Sequence, residues 1–269
     1  MKNGFSIVDA HCHCYPPQIA AKAAVNIGKF YGTPSECGGT AEEILKIDAA
    51  CGIDLAVIES AATVPHQVRS INEFIAENVS AHPDRFLGFG TLHPASEDPE
   101  GDVRHLLSLG LRGVKIHNDF LRVPLDAPEM DRLYDLCADV GLPVLLHAGD
   151  RRFDFTNPER LARVLAAHPT LRVLGAHLGG YSVWEDAARI LPRFPNLIVD
   201  CSSSLRYLGA EKSLEMIRLY GADRVLFGTD FPYHDPSVEL DMFFSLDLTD
   251  EERGKILSGN VASLLGLRL

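Results

Sequence analysis

The chain has 269 residues, 46% hydrophobic and 23% charged, the make-up of a globular protein with a full core rather than a disordered or fibrous one. A formal net charge of −12 repels polyanions over most of the surface, so nucleic acid and anionic membrane are poor partners and a small-molecule substrate is expected. No apolar run approaches the roughly 18 residues that span a bilayer.

Phe5, Ile7 and Val8 open an apolar strand over 5–11, without the apolar core of a secretion signal. The six cysteines (Cys12, Cys14, Cys37, Cys51, Cys137 and Cys201) lack the spacing of a disulfide framework. Together these features predict reduced thiols and a cytoplasmic location. The stretch from Tyr15 to Thr40, with Pro16-Pro17, Gly32 and Gly38-Gly39, reads as a long loop covering a substrate site. Further strands are predicted over 55–60, 86–92, 113–117, 143–148, 172–177, 197–202 and 225–229. Most are apolar on both faces, as in LAVIES, PVLLHAG and VLFGTD, which is expected of parallel strands covered by helices. Amphipathic helices are predicted over 41–51, 66–81, 130–140 and 158–167, with Asn157-Pro158 and Gly141 as punctuation. Eight strands alternating with helices predict one TIM (β/α)8 barrel domain over 1–269. An open doubly wound sheet shares the alternation, but the first strand-to-helix turn lacks a glycine-rich phosphate loop. No linker, repeat or low-complexity tract interrupts the pattern, and assembly as a homo-oligomer is compatible with it.

Asp9, His11 and His13 alternate in IVDAHCHC, so period-two geometry turns all three to one side and Cys12 and Cys14 to the other. Two imidazoles so placed can close on one ion. A lone strand histidine is more often a satisfied core residue, but here His147 ends the fifth strand, His177 the sixth and Asp230 the eighth. Barrel enzymes carry their catalytic groups at these strand ends. Three histidines and a carboxylate suit zinc, with manganese, iron or cobalt as alternatives at the same donors.

The set HxH, HAG, AHLGG and FGTDFP, running from Asp9 to the C-terminal GNVASLLGL, resembles the amidohydrolase superfamily, in its aminocarboxymuconate-semialdehyde decarboxylase-like branch. The resemblance implies one divalent ion held by His11, His13, His147 and Asp230. His177 would be the acid/base residue beside a water activated by that ion, and Asp230 would also shuttle a proton. Lys115 and His117 end the fourth strand, and Lys115 is expected to be unmodified, as an electrostatic aid or substrate contact.

Tyr15–Asp54 holds three lysines and no arginine, whereas the family's decarboxylases grip a substrate carboxylate with basic residues. The expectation is therefore a metal-dependent hydrolase of a small amide, ester or lactone, with a non-oxidative decarboxylase of an unsaturated or aromatic acid as the alternative. Arg151, Arg152 and Arg206 are candidate anion grips alongside Lys115 and His117, and Trp184, Phe231, Tyr233 and His234 are candidate pocket walls. A TatD-like nuclease also begins with HxH, but it places a glutamate where this chain has Lys115, and its substrate is polyanionic. A non-enzymatic barrel fits least, because every matched position is filled.

Overall fold

A computed structural model of the chain describes residues 1–267; the predicted domain of 1–269 extends two residues beyond them. In chain order the strands are β1 (Val8–His13), β2 (Leu55–Glu59), β3 (Phe86–Gly88), β4 (Gly90–Thr91), β5 (Val114–Ile116), β6 (Val144–Leu146), β7 (Val173–Gly175), β8 (Leu197–Asp200) and β9 (Val225–Leu226). All eight predicted strands are present, the third as two short pieces on either side of Phe89. Two helices stand between β1 and β2 in the chain, α1 (Pro17–Tyr31) and α2 (Ala41–Cys51). Contacts divide the chain into two compact units, one of residues 1–59, 78–87 and 201 onward, the other of 60–77 and 88–200.

In the first unit β1 runs parallel to β2, with Val8 opposite Leu55 and His13 opposite Glu59. On its other side β1 is bonded to the segment that follows β9. Ala10 N donates to Phe227 O (2.9 Å), Asp230 N to His11 O (2.9 Å) and His13 N to Phe231 O (2.7 Å). Every residue of β1 is buried, so its polar side chains must find partners inside the protein.

The stretch expected as a loop holds α1. Pro17 stands at the helix start, where proline's fixed φ fits and its missing N–H is not needed. Gly32 ends the helix in the left-handed conformation, its N–H reaching Gly28 O. Residues that read as loop punctuation are thus the punctuation of a helix. The chain then turns through Gly39 (φ 94°), where a Cβ would come within 2.9 Å of the Tyr15 ring. Gly38 N and Gly39 N both donate to Glu43 Oε2 (2.8 and 2.9 Å), and Thr40 caps α2.

In the second unit, strands β4 to β8 pair in parallel in chain order. Gly90 lies opposite Val114, Val114 opposite Val144, Val144 opposite Val173 and Val173 opposite Leu197. With no stagger along this row, residues that follow the strands emerge at one level, His117 beside His147. Asn72 braces the start of the row, accepting from Thr91 N (2.7 Å) and donating to Thr91 O (3.2 Å), while Thr91 Oγ1 donates to Lys115 O (2.9 Å). Among the described residues no helix is long and apolar enough to cross a membrane, and no disulfide forms among the six cysteines.

Asp48 on α2 is 1% exposed, and neither carboxylate oxygen has a hydrogen-bond partner. Burial pushes its carboxyl up to about 8, with Asp9 adding to the rise and Arg85 opposing it. An acid whose folded pKa is raised destabilises the fold progressively as pH climbs from the unfolded value, near 4, to the folded one. Asp48→Asn is therefore expected to leave the melting temperature nearly unchanged at pH 4 and to raise stability at pH 8, by on the order of a few kcal/mol. Thermal melts of both proteins across that range check this, and a difference independent of pH would count against it.

Candidate active site

The first unit gathers four polar side chains at the ends of β1 and β2 and just beyond β9. His11, His13, Glu59 and Asp230 are each no more than 9% exposed. His11 Nε2 lies 3.4 Å from His13 Nε2 and 3.5 Å from Asp230 Oδ1, and His13 Nε2 lies 3.4 Å from the same oxygen. Glu59 Oε1 is 3.4 Å from His11 Nε2. Donors about 2.1 Å from one ion at tetrahedral angles stand roughly 3.4 Å apart. The triangle of His11, His13 and Asp230 thus fits the face of a coordination sphere, and the donor types suit a divalent ion.

Neighbouring groups hold these side chains in place. With its proton on Nδ1, His11 donates to Ser202 Oγ (3.1 Å), which leaves Nε2 as the donor that faces His13 and Asp230. Ser203 Oγ donates to Asp230 Oδ2 (2.6 Å), leaving Oδ1 toward the histidines. The backbone is set by Asp9. Its Oδ1 accepts from His11 N (3.1 Å) and Thr229 N (3.0 Å), and its Oδ2 accepts from Thr229 Oγ1 (2.5 Å). Burial pushes Asp9 up to about 7 even though these bonds favour the charged form. Ser203 (φ 52°) and Asp230 (φ 62°) both take the left-handed conformation, which costs a non-glycine residue about 1 kcal/mol or more and persists where surroundings enforce it.

The second unit carries a histidine cluster of its own. His147 Nδ1 lies 3.1 Å from His177 Nε2, and His147 Nε2 lies 3.4 Å from Asp119 Oδ2. His117 is sandwiched between the rings of Phe120 (3.6 Å) and His147 (4.1 Å), both nearly parallel to it. Its Nδ1 accepts from Phe120 N (3.4 Å), so it packs and caps. His177 (φ 60°) is fixed through its main chain: its N donates to Asp200 Oδ1 (3.1 Å), and its carbonyl accepts from Trp184 Nε1 (2.9 Å). Asp119, pushed up to about 7 by burial, accepts from Thr156 Oγ1 (2.9 Å). Lys115 is buried on β5.

Of the residues singled out from sequence, the first unit brings together His11, His13 and Asp230, and the second His117, His147 and His177. Glu59 was missed; its signal was a lone carboxylate closing the apolar run LAVIE. Asp119 and Thr156 carried no pattern that sequence could reveal. The three arginines are engaged within their own units. Arg151 donates to Ser182 O (2.9 Å) and Arg152 to Asp150. Arg206 bonds Glu36 and, through Nε, Glu239 Oε1 (3.2 Å).

The amidohydrolase family pattern matches residues 8–267. The chain belongs to the amidohydrolase family. This amidohydrolase is an enzyme with the TIM-barrel fold. An uncharacterised TIM-barrel protein from Bordetella bronchiseptica matches it with a TM-score of 0.80 at 25% identity, over 97% of this chain and 99% of that one. It is 26% identical over 319 residues (98% of this chain, 85% of the relative) to 2-amino-3-carboxymuconate-6-semialdehyde decarboxylase from Dictyostelium discoideum. It is 27% identical over 250 residues (74% and 76%) to gamma-resorcylate decarboxylase from Polaromonas sp.. A dihydroxybenzoic acid decarboxylase from Polaromonas sp. JS666, solved with bound manganese and an inhibitor, superposes with a TM-score of 0.74 at 18% identity, over 97% of each chain.

These relatives correct the expectation of a hydrolase acting on an amide, ester or lactone: they are decarboxylases. The shortage of arginine after β1 was a poor guide, because arginine content does not report what each guanidinium already holds.

Arg206 provides a test. Burial pushes Glu239 up to about 7 while Arg206 opposes the rise. Without Arg206 that rise is no longer opposed, so Glu239 is a neutral acid at pH 5 in both proteins but is harder to ionise at pH 8 in the variant. Arg206→Ala should therefore cost more stability at pH 8 than at pH 5, by roughly 1 kcal/mol, read by denaturant unfolding. An effect confined to KM, with stability untouched, would restore Arg206 as a substrate grip.

Proposed function

We propose that this amidohydrolase is a metal-dependent, non-oxidative decarboxylase of a small aromatic or unsaturated carboxylic acid. The observation that carries the reading is the buried triangle of His11, His13 and Asp230 donors, 3.4–3.5 Å apart, in a chain whose relatives act on gamma-resorcylate and on an aminocarboxymuconate semialdehyde. His11, His13 and Asp230 would hold the divalent ion, and manganese, found in the similar dihydroxybenzoic acid decarboxylase, is the first ion to test. When bound, the ion supplies Lewis acidity toward a substrate oxygen.

The reaction breaks the bond between the substrate carbon and its carboxylate. Carbon dioxide leaves, the bonding electron pair stays on the carbon, and a proton takes the vacated place. No redox partner is required. His177 is the residue proposed to move that proton. It is buried, its main chain is fixed by Asp200 and Trp184, and its Nε2 faces the His147 ring. Its Nε2 can exchange a proton with His147 Nδ1 without any movement of the backbone. Asp230 is proposed to hold both ion and proton traffic in order, with one oxygen fixed by Ser203.

The test uses hydroxybenzoates and aminocarboxymuconate-type acids in deuterated water. Carbon dioxide release with one deuterium at the vacated carbon is expected, lost on chelation and restored by manganese. No release from either class would sink the reading. His177→Gln should keep its metal content while turnover falls about 10²–10⁴-fold, the usual contribution of a positioned proton carrier. Metal lost in step with activity would make His177 a ligand instead.

A further inference from the structure

Glu59 closes β2 opposite His13 and is fully buried. Its Oε1 stands 3.4 Å from His11 Nε2, and one donor atom each from His11, His13 and Glu59 lie within 4.8 Å of one another. It shares His11 Nε2 with the Asp230 carboxylate, which lies 3.5 Å away. Two carboxylates that converge on one imidazole nitrogen in a dry site repel each other unless positive charge lies between them.

We infer that Glu59 is a direct ligand of the divalent ion, so that the first unit alone supplies two imidazoles and two carboxylates. The inference rests on the metal-dependent reading above and adds to it a donor that no motif assigns. Two anionic donors balance the charge of a divalent ion, so the assembly of ion and four side chains is neutral and its burial is less costly than that of an uncompensated charge. The second carboxylate also makes the site harder in its chemistry. Carboxylate oxygens suit manganese, whereas zinc is equally content with imidazole nitrogen. Glu59 therefore contributes more to manganese affinity than to zinc affinity.

The rival account is a histidine–carboxylate hydrogen bond, in which Glu59 accepts from His11 and never touches the ion. The two accounts part on metal affinity. Full-length parent, Glu59→Gln and Glu59→Asp proteins are stripped with chelator, checked by circular dichroism and titrated with Mn²⁺, free ion being followed by its electron paramagnetic resonance signal. The parent should take up one Mn²⁺ per chain. Glu59→Gln should bind it about 1,000-fold more weakly, beyond the roughly 10–100-fold seen when a supporting residue is lost, and should lose less affinity for Zn²⁺ in competition. A loss of Mn²⁺ affinity in Glu59→Gln of about 100-fold or less overturns the inference. If that variant does not fold, Glu59→Asp decides. It keeps the charge but withdraws the oxygen by one carbon, so affinity should fall about tenfold and the spectrum of the bound ion should change. An unchanged affinity and spectrum there overturn it. A parent that binds neither ion overturns the metal-dependent reading itself, a result distinct from loss of the Glu59 effect alone.

Discussion

Two imidazoles and two carboxylates with facing atoms 3.4–3.5 Å apart, in a place where water barely reaches, pose the electrostatic problem around which the first unit is arranged. Unprotonated, their lone pairs repel. Protonated, the histidines become cations whose burial is itself unfavourable. The cluster loses a facing partner with any apolar substitute, although Ser202 and Ser203 still hold His11 and Asp230. It also raises the demand on the backbone, because side chains that would splay apart must be held together by strands that do not move.

Asp9 meets that demand. Its carboxylate ties the main chain of β1 at His11 to Thr229, the residue before Asp230. Three ladder bonds between β1 and residues 227–231 extend the same tie. The histidines and the aspartate are thus placed by main-chain geometry, with His11 and Asp230 further fixed by Ser202 and Ser203. Placement of His11 and His13 on a strand holds them more tightly than a loop would. The left-handed backbone at Ser203 and Asp230 is strain that such a framework can sustain.

The strands were legible because parallel strands buried on both faces show as short unbroken apolar runs, and the ends of those runs located His11, His147, His177 and Asp230. Other features were hidden for identifiable reasons. Pro17 and Gly32 punctuate α1, but proline and glycine signal a helix boundary and a loop alike, so the segment between them read as irregular. Glu59 sits four residues into an apolar run, where alternation alone cannot say whether a carboxylate points to a site or to solvent. Its meaning comes from His11, reached only when β2 is laid beside β1. The row of strands β4 to β8, level from Gly90 to Leu197, is likewise a property of register, and it alone explains why His117 and His147 stack.

The arginine content misled for a reason that bears on the chemistry. In a chain with 37 acidic residues against 25 basic ones, a guanidinium readily meets a carboxylate of its own protein. Arg152 is held by Asp150, Arg206 by Glu36 and Glu239, and Arg160 and Arg163 by Asp126. A firm arginine grip on the departing group also does little for the rate of a decarboxylation. The departing carboxylate carries its full charge in the ground state and surrenders it as carbon dioxide forms, so a cation clamped on that group stabilises reactant more than transition state. Acceleration comes instead from interactions that strengthen as the electron pair moves onto the carbon skeleton: Lewis acidity at a substrate oxygen and a proton carrier held ready. A cluster rich in imidazole and carboxylate and poor in guanidinium is consistent with that requirement, and the feature that first pointed to hydrolysis loses its force against carbon dioxide release.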